Sequence, residues 1–225
     1  MPEEWLLFND ISHIANRNMA IDETLLNSCS KPILRFYSWS EPAVSIGYFQ
    51  KHEIALSNEY TFVRRPSGGG FVDHRNDLTF SLILPKEHQL LKDRCKSYQS
   101  IHLILKESLL ALGIESELHD QPLANLDNKT LKCFISAAKY DLLLGDKKIA
   151  GGAQKRTKTA FLHQGSILLD HIDIEKDTLI SVIIQTICSE LDVIFEPFYM
   201  SNIIDKRVAD LVDMKYSTNA WQYKF

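Results

Sequence analysis

The chain has 225 residues, of which 45% are hydrophobic and 24% are charged, so it is long and apolar enough to bury the core of one large domain. Its net charge of −4 gives no reason to expect nucleic-acid binding, and no apolar run reaches the roughly 18–20 residues that a membrane span needs. Because the N-terminus lacks the basic start and apolar stretch of a signal peptide, we expect a cytoplasmic protein without a membrane partner.

Three segments have the apolar spacing of amphipathic helices. The first covers residues 18–29 and the second covers residues 98–112, where Gly113 favours a stop. The third covers residues 176–191. The tail from Ser201 onwards has no strong period.

Short runs rich in strand-forming residues separate these helices, and most of them are bounded by turns rather than by regular helices. This pattern favours a mixed α+β domain over a doubly wound Rossmann fold. The predicted strands cover residues 33–37, 43–48, 61–64, 77–84, 115–118, 141–144, 148–153 and 161–169.

The most distinctive motif joins two arginines to three consecutive glycines: Arg64-Arg65-Pro66-Ser67-Gly68-Gly69-Gly70. Glycine reaches positive φ and lets the backbone approach a ligand, so successive free N–H groups can form a nest for an anion. One interpretation is a loop against a substrate headgroup, and the alternative is a tight hairpin whose arginines lie in solvent. Three glycines after two arginines exceed what a hairpin needs, which favours the loop. The motif is not a P-loop, because the GxxxxGK[ST] order is absent.

A second basic–glycine element lies downstream: Lys147-Lys148-Ile149-Ala150-Gly151-Gly152-Ala153-Gln154. A lysine among glycines can hold a phosphate or a carbonyl oxygen as a point charge. A surface turn explains the element equally well, because short charge runs such as the one at residues 146–148 are usually solvated. Two such elements in one small domain suggest a single site for an acyl group that carries negative charge.

The chain has four widely spaced cysteines: Cys29, Cys95, Cys133 and Cys188. They form no CxxC pair and predict neither a zinc site nor a dense disulfide framework, so reduced cytosolic thiols are expected. A lone cysteine is usually a small core residue. Cys133 differs because Lys132 precedes it and the Lys148 element follows it, and nearby positive charge lowers the pKa of a thiol.

Acidification of a thiol adds little to its reactivity. Lowering its pKa from about 8.5 to about 6.5 raises the thiolate fraction at pH 7 roughly 25-fold, while nucleophilicity falls about 6–10-fold, so the net gain is about threefold. A single oxyanion donor contributes about 10²–10³. If Cys133 is a nucleophile, we therefore expect Lys148 and the backbone of Gly151 and Gly152 to contribute more to the rate.

Two histidines, His74 and His163, lie next to the motifs. Either is a candidate base, because histidine titrates near neutral pH, but a hydrogen-bonded structural role is the favoured interpretation for both. The sequence has no HxxxH pattern or carboxylate cluster, so we predict no metal site.

The ordered set of motifs resembles the lipoate–protein ligase and octanoyltransferase family, whose catalytic domain is shared with biotin–protein ligases. Any one of these motifs is weak evidence, but their order over most of the chain is specific. Besides the arginine–glycine motif, they are Ser45-Ile46-Gly47-Tyr48-Phe49-Gln50, Asp73-His74, Leu78-Thr79-Phe80-Ser81, Lys148-Ile149-Ala150-Gly151-Gly152-Ala153-Gln154-Lys155-Arg156 and His163-Gln164-Gly165-Ser166-Ile167-Leu168-Leu169.

The resemblance implies one catalytic domain over residues 1–225, of α+β class, with mixed, largely antiparallel sheets flanked by helices and a U-shaped acyl tunnel. It implies catalytic roles for Lys148, which would contact the acyl carbonyl, and for Cys133. The acceptor would be a specific lysine on the lipoyl domains of 2-oxoacid dehydrogenase E2 subunits or on the glycine-cleavage H protein. No tightly bound cofactor is implied. The acyl or adenylate group would be bound by Arg65, Ser67, Gly68, Gly69, Gly70, His74, Gly151, Gly152 and Ala153.

The resemblance implies two branches of activity. Cysteine octanoyltransferases take octanoate from acyl carrier protein through an enzyme thioester, whereas ligases activate free lipoate with ATP and Mg as lipoyl-adenylate. A non-catalytic acyl-binding homologue is a third possibility. Transferases are favoured by Gly47-Tyr48-Phe49-Gln50, by Cys133-Phe134 followed by Tyr140-Asp141, and by an end at Phe225 that leaves little room for the accessory domain of many ligases.

Two features favour the ligase branch. The segment Ser67-Gly68-Gly69-Gly70 is closer to the ligase version of its motif than to the transferase version. The segment Ile135-Ser136-Ala137-Ala138 lacks the Pro-Ser that often follows the transferase cysteine. Some ligases also work with their accessory domain on a separate chain. The transferase is the favoured branch, and the ATP-dependent ligase is the alternative.

Overall fold

The computed structural model describes residues 1–55, 57, 59–93, 96–121 and 137–225. Strands and helices alternate irregularly along the chain. The strands are β1 (Glu3–His13), β2 (Ile33–Trp39), β3 (Ala43–Ile46), β4 (Thr61–Arg64), β5 (Val72–Asp73), β6 (Asp77–Pro85), β7 (Glu117–Leu118), β8 (Leu142–Leu144), β9 (Lys147–Arg156), β10 (Ala160–Leu168) and β11 (Val193–Pro197). The α-helices are α1 (Ala15–Ser28), α2 (Lys96–Ala111), α3 (Lys176–Leu191), α4 (Asn202–Leu211) and α5 (Asn219–Gln222).

Within the described residues, the strands form one large and one small sheet. The large sheet has eight strands in the order β11-β1-β2-β6-β10-β9-β8-β7, and the small sheet has three in the order β4-β3-β5. β1 pairs in parallel with β11 and β2, whereas the pairs from β2 through β6, β10, β9 and β8 to β7 are antiparallel. The predicted α+β class with mixed, largely antiparallel sheets and flanking helices is confirmed.

The two faces of the large sheet pack against different helices. The alternation of side chains along a strand sends successive residues to opposite faces. On β2, Leu34 and Phe36 join the core formed with α2 and α3, whereas Ile33 and Tyr37 join the core formed with α1. Burying one such large side chain contributes roughly 1.5–3 kcal/mol, so these two layers hold the sheet in place.

Polar residues are also buried between α1 and the sheet. Arg35, whose side chain is inaccessible to solvent, donates from Nη1 to Asp22 Oδ1 at 2.6 Å and from Nε to Asp10 Oδ2 at 2.9 Å. A buried charge is tolerated only when it is paired and hydrogen-bonded. This ion pair fixes α1 relative to β2 and anchors a polar chain that reaches the candidate site.

The predicted elements were found, with small changes at their ends, but β1, β5, β11 and the helices of the tail were missed. β1 and β11 pair with each other at one edge of the large sheet. The tail is helical: Ser201 caps α4 by accepting a hydrogen bond from the N–H of Ile204 at 3.3 Å, and Val208 is buried in the α1 core. No helix in the described parts of the chain combines the length and apolar character that a bilayer crossing requires.

Candidate functional site

A cavity lies between the small sheet and the α1 face of the large sheet. Its empty volume is about 430 Å³, including its open mouth. The walls combine apolar and polar side chains with bare backbone: Met19, Tyr37, Trp39, Ser45, Arg65, Val72, His74, Thr79, Lys148, Gly151, Gly152, Ala153, Gln164, Gly165 and Ser166. Both basic–glycine elements contribute to these walls, so the structure brings together residues far apart in sequence.

The first element forms a tight loop after β4. Gly69 has φ +82°, a conformation that L side chains rarely adopt, which explains a glycine at this position. The loop packs on Gly47, where an added Cβ would overlap the carbonyl group of Gly69. The N–H of Tyr48 also donates to the carbonyl of Ser67 at 2.8 Å. The Gly47 motif and the glycine loop therefore fold as one interlocked unit.

Arg65 braces this loop from inside. Its Nη2 donates to the carbonyls of Gly68 at 2.9 Å and Gly70 at 2.8 Å, and its Nη1 donates to Ser45 Oγ at 2.6 Å. The guanidinium is buried and lies in the cavity wall. Arg65 thus fixes the loop and places a positive charge beside the cavity.

Arg64 points elsewhere. Its side chain is fully buried and donates to the carbonyls of Gln50 at 2.6 Å and Gln222 at 2.9 Å. Burial lowers the pKa of this guanidinium. The hairpin interpretation, which placed both arginines in solvent, is wrong: Arg64 ties the C-terminal segment to the small sheet, and Arg65 faces the cavity.

A buried polar chain holds Ser67. Its hydroxyl donates to Gln164 Oε1 at 2.5 Å, and Gln164 Nε2 donates to Asp22 Oδ2 at 2.8 Å. Asp22 is the partner of Arg35 beneath α1. The orientation of the Ser67 hydroxyl is therefore set by an ion pair on the far side of the cavity wall, which sequence reasoning did not find.

The second element is a strand, not a loop. Lys148 lies on β9, and its Nζ is 2.7 Å from Asp141 Oδ2, with both side chains buried. At Gly151, an added Cβ would lie 2.6 Å from Lys148 Cε, so the missing side chain makes room for the lysine. Tyr98 donates its hydroxyl hydrogen to the other oxygen of Asp141. Lys148 is therefore positioned by a carboxylate that is itself held by a tyrosine.

Gly152 has the same kind of role. An added Cβ would collide with the ring of His163, and the Gly152 N–H donates to Tyr98 Oη at 2.9 Å. Gly151 and Gly152 pair with β10, and neither has positive φ. The expected nest of successive free N–H groups is thus absent from these two residues. Both glycines and Ala153 line the cavity, and their part in binding stays a prediction.

The two candidate histidines have different surroundings. His74 lies in the cavity wall, where it is stacked on Trp39. Its ring nitrogens form hydrogen bonds with Ser45 and Asp77. His163 is fully buried and accepts from Gln154 Nε2 at 3.2 Å through Nδ1. Burial, and then the nearby His102, lower the pKa of His163 well below its usual value, so a neutral structural role fits it.

Cys133 and Cys95 lie outside the described residues. The described cysteines are the free thiols Cys29 and Cys188. Burial raises the pKa of Cys29 to about 11 and also raises that of Cys188. Since the thiolate is the nucleophilic form, neither is an activated thiol.

The chain is similar to lipoyl protein ligases and octanoyltransferases. Residues 15–187 match the family described as lipoyl protein ligase A/B catalytic domain. The octanoyltransferase LipM of Macrococcus caseolyticus is 38% identical over 193 residues, which cover 78% of this chain and 69% of that protein. LipM of Bacillus cereus is 35% identical over 191 residues, which cover 77% and 68%.

Solved structures of related proteins share the fold. Lipoate-protein ligase A bound with ATP aligns with a TM-score of 0.80 at 25% identity, over 99% of each chain. Protein Ta0514 of T. acidophilum with bound lipoic acid aligns with a TM-score of 0.80 at 25% identity, over 99% of this chain and 100% of that chain.

Proposed function

This chain belongs to the lipoyl protein ligase A/B catalytic-domain family, as its ordered motifs predicted, and we propose that it transfers an octanoyl group from acyl carrier protein to a specific lysine of lipoyl domains through a thioester on Cys133. The acceptors are the lipoyl domains of 2-oxoacid dehydrogenase E2 subunits or the H protein. The relatives that are 35–38% identical over most of the chain are named octanoyltransferases, which favours transfer over ATP-dependent ligation.

One structural observation carries the proposal: Lys148, which forms a buried ion pair with Asp141, lies in the wall of a cavity that also has apolar sides. The ammonium of Lys148 is a preorganised positive charge, and such a charge stabilises the negative oxygen that develops during acyl transfer. The apolar side chains of Met19, Val72 and Trp39 provide a surface for an alkyl chain. Each methylene buried there contributes about 0.8 kcal/mol to binding.

The reaction has two acyl-transfer steps. In the first, the Cys133 thiolate attacks the thioester carbonyl of the carrier, a new carbon–sulfur bond forms, and the carrier thiolate leaves. In the second, the ε-amine of the acceptor lysine attacks the enzyme thioester, an amide forms, and Cys133 leaves as thiolate while the amine loses a proton. Lys148 stabilises the oxyanion of both tetrahedral intermediates.

A ligase that forms lipoyl-adenylate from lipoate, ATP and Mg is the second candidate. Its support is the ligase-like Ser67-Gly68-Gly69-Gly70 loop, whose Ser67 donates to Gln164, a residue of the cavity wall. In that reaction Lys148 would contact the adenylate phosphate, and no nucleophilic cysteine would be needed.

The test incubates the protein and an apo lipoyl domain with octanoyl carrier protein in one reaction and with lipoate, ATP and Mg in another. We expect the mass of the lipoyl domain to rise by one octanoyl group in the first reaction only. Cys133→Ala should abolish that gain, whereas Cys188→Ala, on the outer helix α3, should keep it. Lipoylation with ATP that survives in Cys133→Ala would establish the ligase, and no transfer in either reaction would leave an acyl-binding homologue.

A further inference from the structure

Three residues in the cavity wall form a continuous hydrogen-bonded chain. Ser45 Oγ is 2.6 Å from His74 Nε2, and His74 Nδ1 is 2.8 Å from Asp77 Oδ2. All three are buried, and Ser45 and His74 line the cavity. A hydroxyl, an imidazole and a carboxylate joined in this order have the arrangement of a Ser–His–Asp triad, which is recognised by geometry rather than by position in the sequence.

Ser45 Oγ lies within hydrogen-bond distance of both Arg65 and His74. Arg65 Nη1 donates to Ser45 Oγ at 2.6 Å, and a guanidinium has no acceptor. In the arrangement that we infer, the serine hydrogen is directed to His74 Nε2 and Nδ1–H of His74 donates to Asp77. In this tautomer Nε2 can take the proton of the serine hydroxyl.

The surroundings hold the chain rigid. His74 is stacked on Trp39 at a centroid distance of 4.1 Å, and Asp77 also accepts hydrogen bonds from Ser166 at 2.5 Å and Thr79 at 3.0 Å. These contacts hold the carboxylate in place, and the carboxylate orients the imidazole. Arg65 adds a positive charge next to Ser45 Oγ, which stabilises an alkoxide there.

We infer that Ser45 is a second nucleophile of this protein, which hydrolyses octanoyl esters and thioesters bound in the cavity. The inference rests on the proposed function only in assigning the cavity to a medium-length acyl chain. It adds an activity in which water replaces the lysine acceptor, so the protein would hydrolyse bound acyl groups that are not transferred to a lipoyl domain.

The reaction balances without any further reagent than water. Ser45 Oγ attacks the acyl carbonyl, its proton passes to His74 Nε2, and the carbon–oxygen bond forms as the bond to the thiol or alcohol breaks. His74 returns the proton to the leaving group. Water then attacks the serine ester, gives its proton to His74, and releases octanoic acid while Ser45 Oγ takes the proton back.

The test uses an octyl fluorophosphonate, whose phosphorus forms a bond to an activated serine as fluoride leaves. Intact wild-type protein is incubated with the probe and digested, and the labelled peptide is mapped by mass spectrometry. We expect one label, on Ser45, and none on the Ser45→Ala variant. Asp77→Asn should slow labelling at least about 100-fold, because it disturbs the tautomer of the base.

Ser108→Ala is the matched control, since this buried serine donates to the carbonyl of Ile104 on α2 and lies away from the cavity. Its labelling rate should equal that of the wild type, and thermal unfolding of each variant shows whether it is folded. The wild-type mapping needs no variant, so a failure of Ser45→Ala to fold does not prevent the test.

Absence of a label on Ser45, or a label on Cys133 alone, overturns the inference. Octanoyl transfer to a lipoyl domain, measured on the same preparation, separates the two proposals. Transfer without a label on Ser45 removes the second nucleophile and leaves the proposed function standing. A label on Ser45 without transfer supports Ser45 as a nucleophile and contradicts the proposed transferase function.

Discussion

The two basic–glycine elements have similar compositions but use their glycines for different purposes. In the loop at residues 64–70, Gly69 has φ +82° and packs against Gly47, so glycine supplies a backbone conformation and a close approach. In β9, Gly151 and Gly152 are paired strand residues whose missing Cβ atoms make room for the side chains of Lys148 and His163. The glycines of the loop therefore shape the backbone, whereas the glycines of the strand leave space for neighbouring side chains.

The cations of the two elements differ in the same way. Arg65 donates to carbonyl oxygens of its own loop, and so its hydrogen bonds hold the loop together. Lys148 is paired with the carboxylate of Asp141, which lies on a neighbouring segment of chain. We therefore expect changes in the loop to lower mainly stability, and changes around Lys148 to lower mainly activity.

Replacing Lys148 should have the largest effect. Lys148→Met keeps the alkyl length but removes the charge, and we expect kcat for acyl transfer to fall about 10²–10³-fold, as for the loss of an oxyanion donor. Lys147→Met is the matched control, because Lys147 is the exposed neighbour on the same strand. Single-turnover acylation of a lipoyl domain gives the rate of the chemical step. A loss of less than tenfold would contradict the catalytic role and make the loop the dominant element.

Replacing Gly47 should affect stability instead. Gly47→Ala places a methyl group against the Gly69 carbonyl, where backbone rather than a flexible side chain has to move. We expect the free energy of unfolding to fall by about 2–3 kcal/mol, in the upper range for overpacking. Urea denaturation of Gly68→Ala is the control, since an added Cβ there meets nothing within 4 Å. Equal denaturation midpoints for the two variants would show that the loop relaxes freely.

The motifs predicted part of the cavity wall but not how its residues are held. Arg65, His74, Lys148, Gly151, Gly152 and Ala153 line the cavity, whereas Ser67, Gly68, Gly69 and Gly70 are not among its lining residues. Local periodicity placed α3 at its observed ends, and the order of motifs identified the family. Nothing in the spacing indicated that Arg64 and Arg65 point to different places, because that depends on which carbonyls of Gln222 and Gly70 approach each guanidinium.

Other features were missed because they depend on partners distant in the chain. Asp22, Asp77 and Asp141 are ordinary acidic residues in the sequence, and only tertiary contacts give them a role at Gln164, His74 and Lys148. The strand β1 pairs with β11, almost the whole chain apart. Long-range pairing of this kind overrides local propensity.

Acid should lower the free energy of unfolding through His102, a buried residue on α2. Burial, and then the charge of Lys148, lower the pKa of His102 to about 3. The imidazole is neutral in the folded state and gains a proton on unfolding, so stability is full above the unfolded pKa of about 6.5 and falls as the pH drops towards 3. The slope is about 1.4 kcal/mol per pH unit for one such group.

Replacing His102 isolates this contribution. The free energy of unfolding of His102→Gln, measured between pH 6.5 and pH 4, should depend less on pH than that of the wild type by about this slope. His171→Gln, at an exposed position, is the control and should keep the wild-type slope. Parallel pH profiles for all three proteins would mean that His102 is protonated in the folded state or that the unfolded state does not gain its proton.

Removing the hydroxyl of Tyr98 should have the smallest effect. This change tests whether the contacts around Lys148 affect stability, activity or both. Tyr98→Phe takes a donor from Asp141 and an acceptor from the Gly152 N–H, while Asp141 keeps its ion pair with Lys148. We expect the free energy of unfolding to fall by about 1 kcal/mol, the net value of a typical hydrogen bond. Because the carboxylate loses one restraint on the lysine, kcat should fall less than in Lys148→Met but more than in Tyr199→Phe, whose ring is exposed. A loss of stability with unchanged kcat would mean that the ion pair with Asp141 positions Lys148 without help from Tyr98.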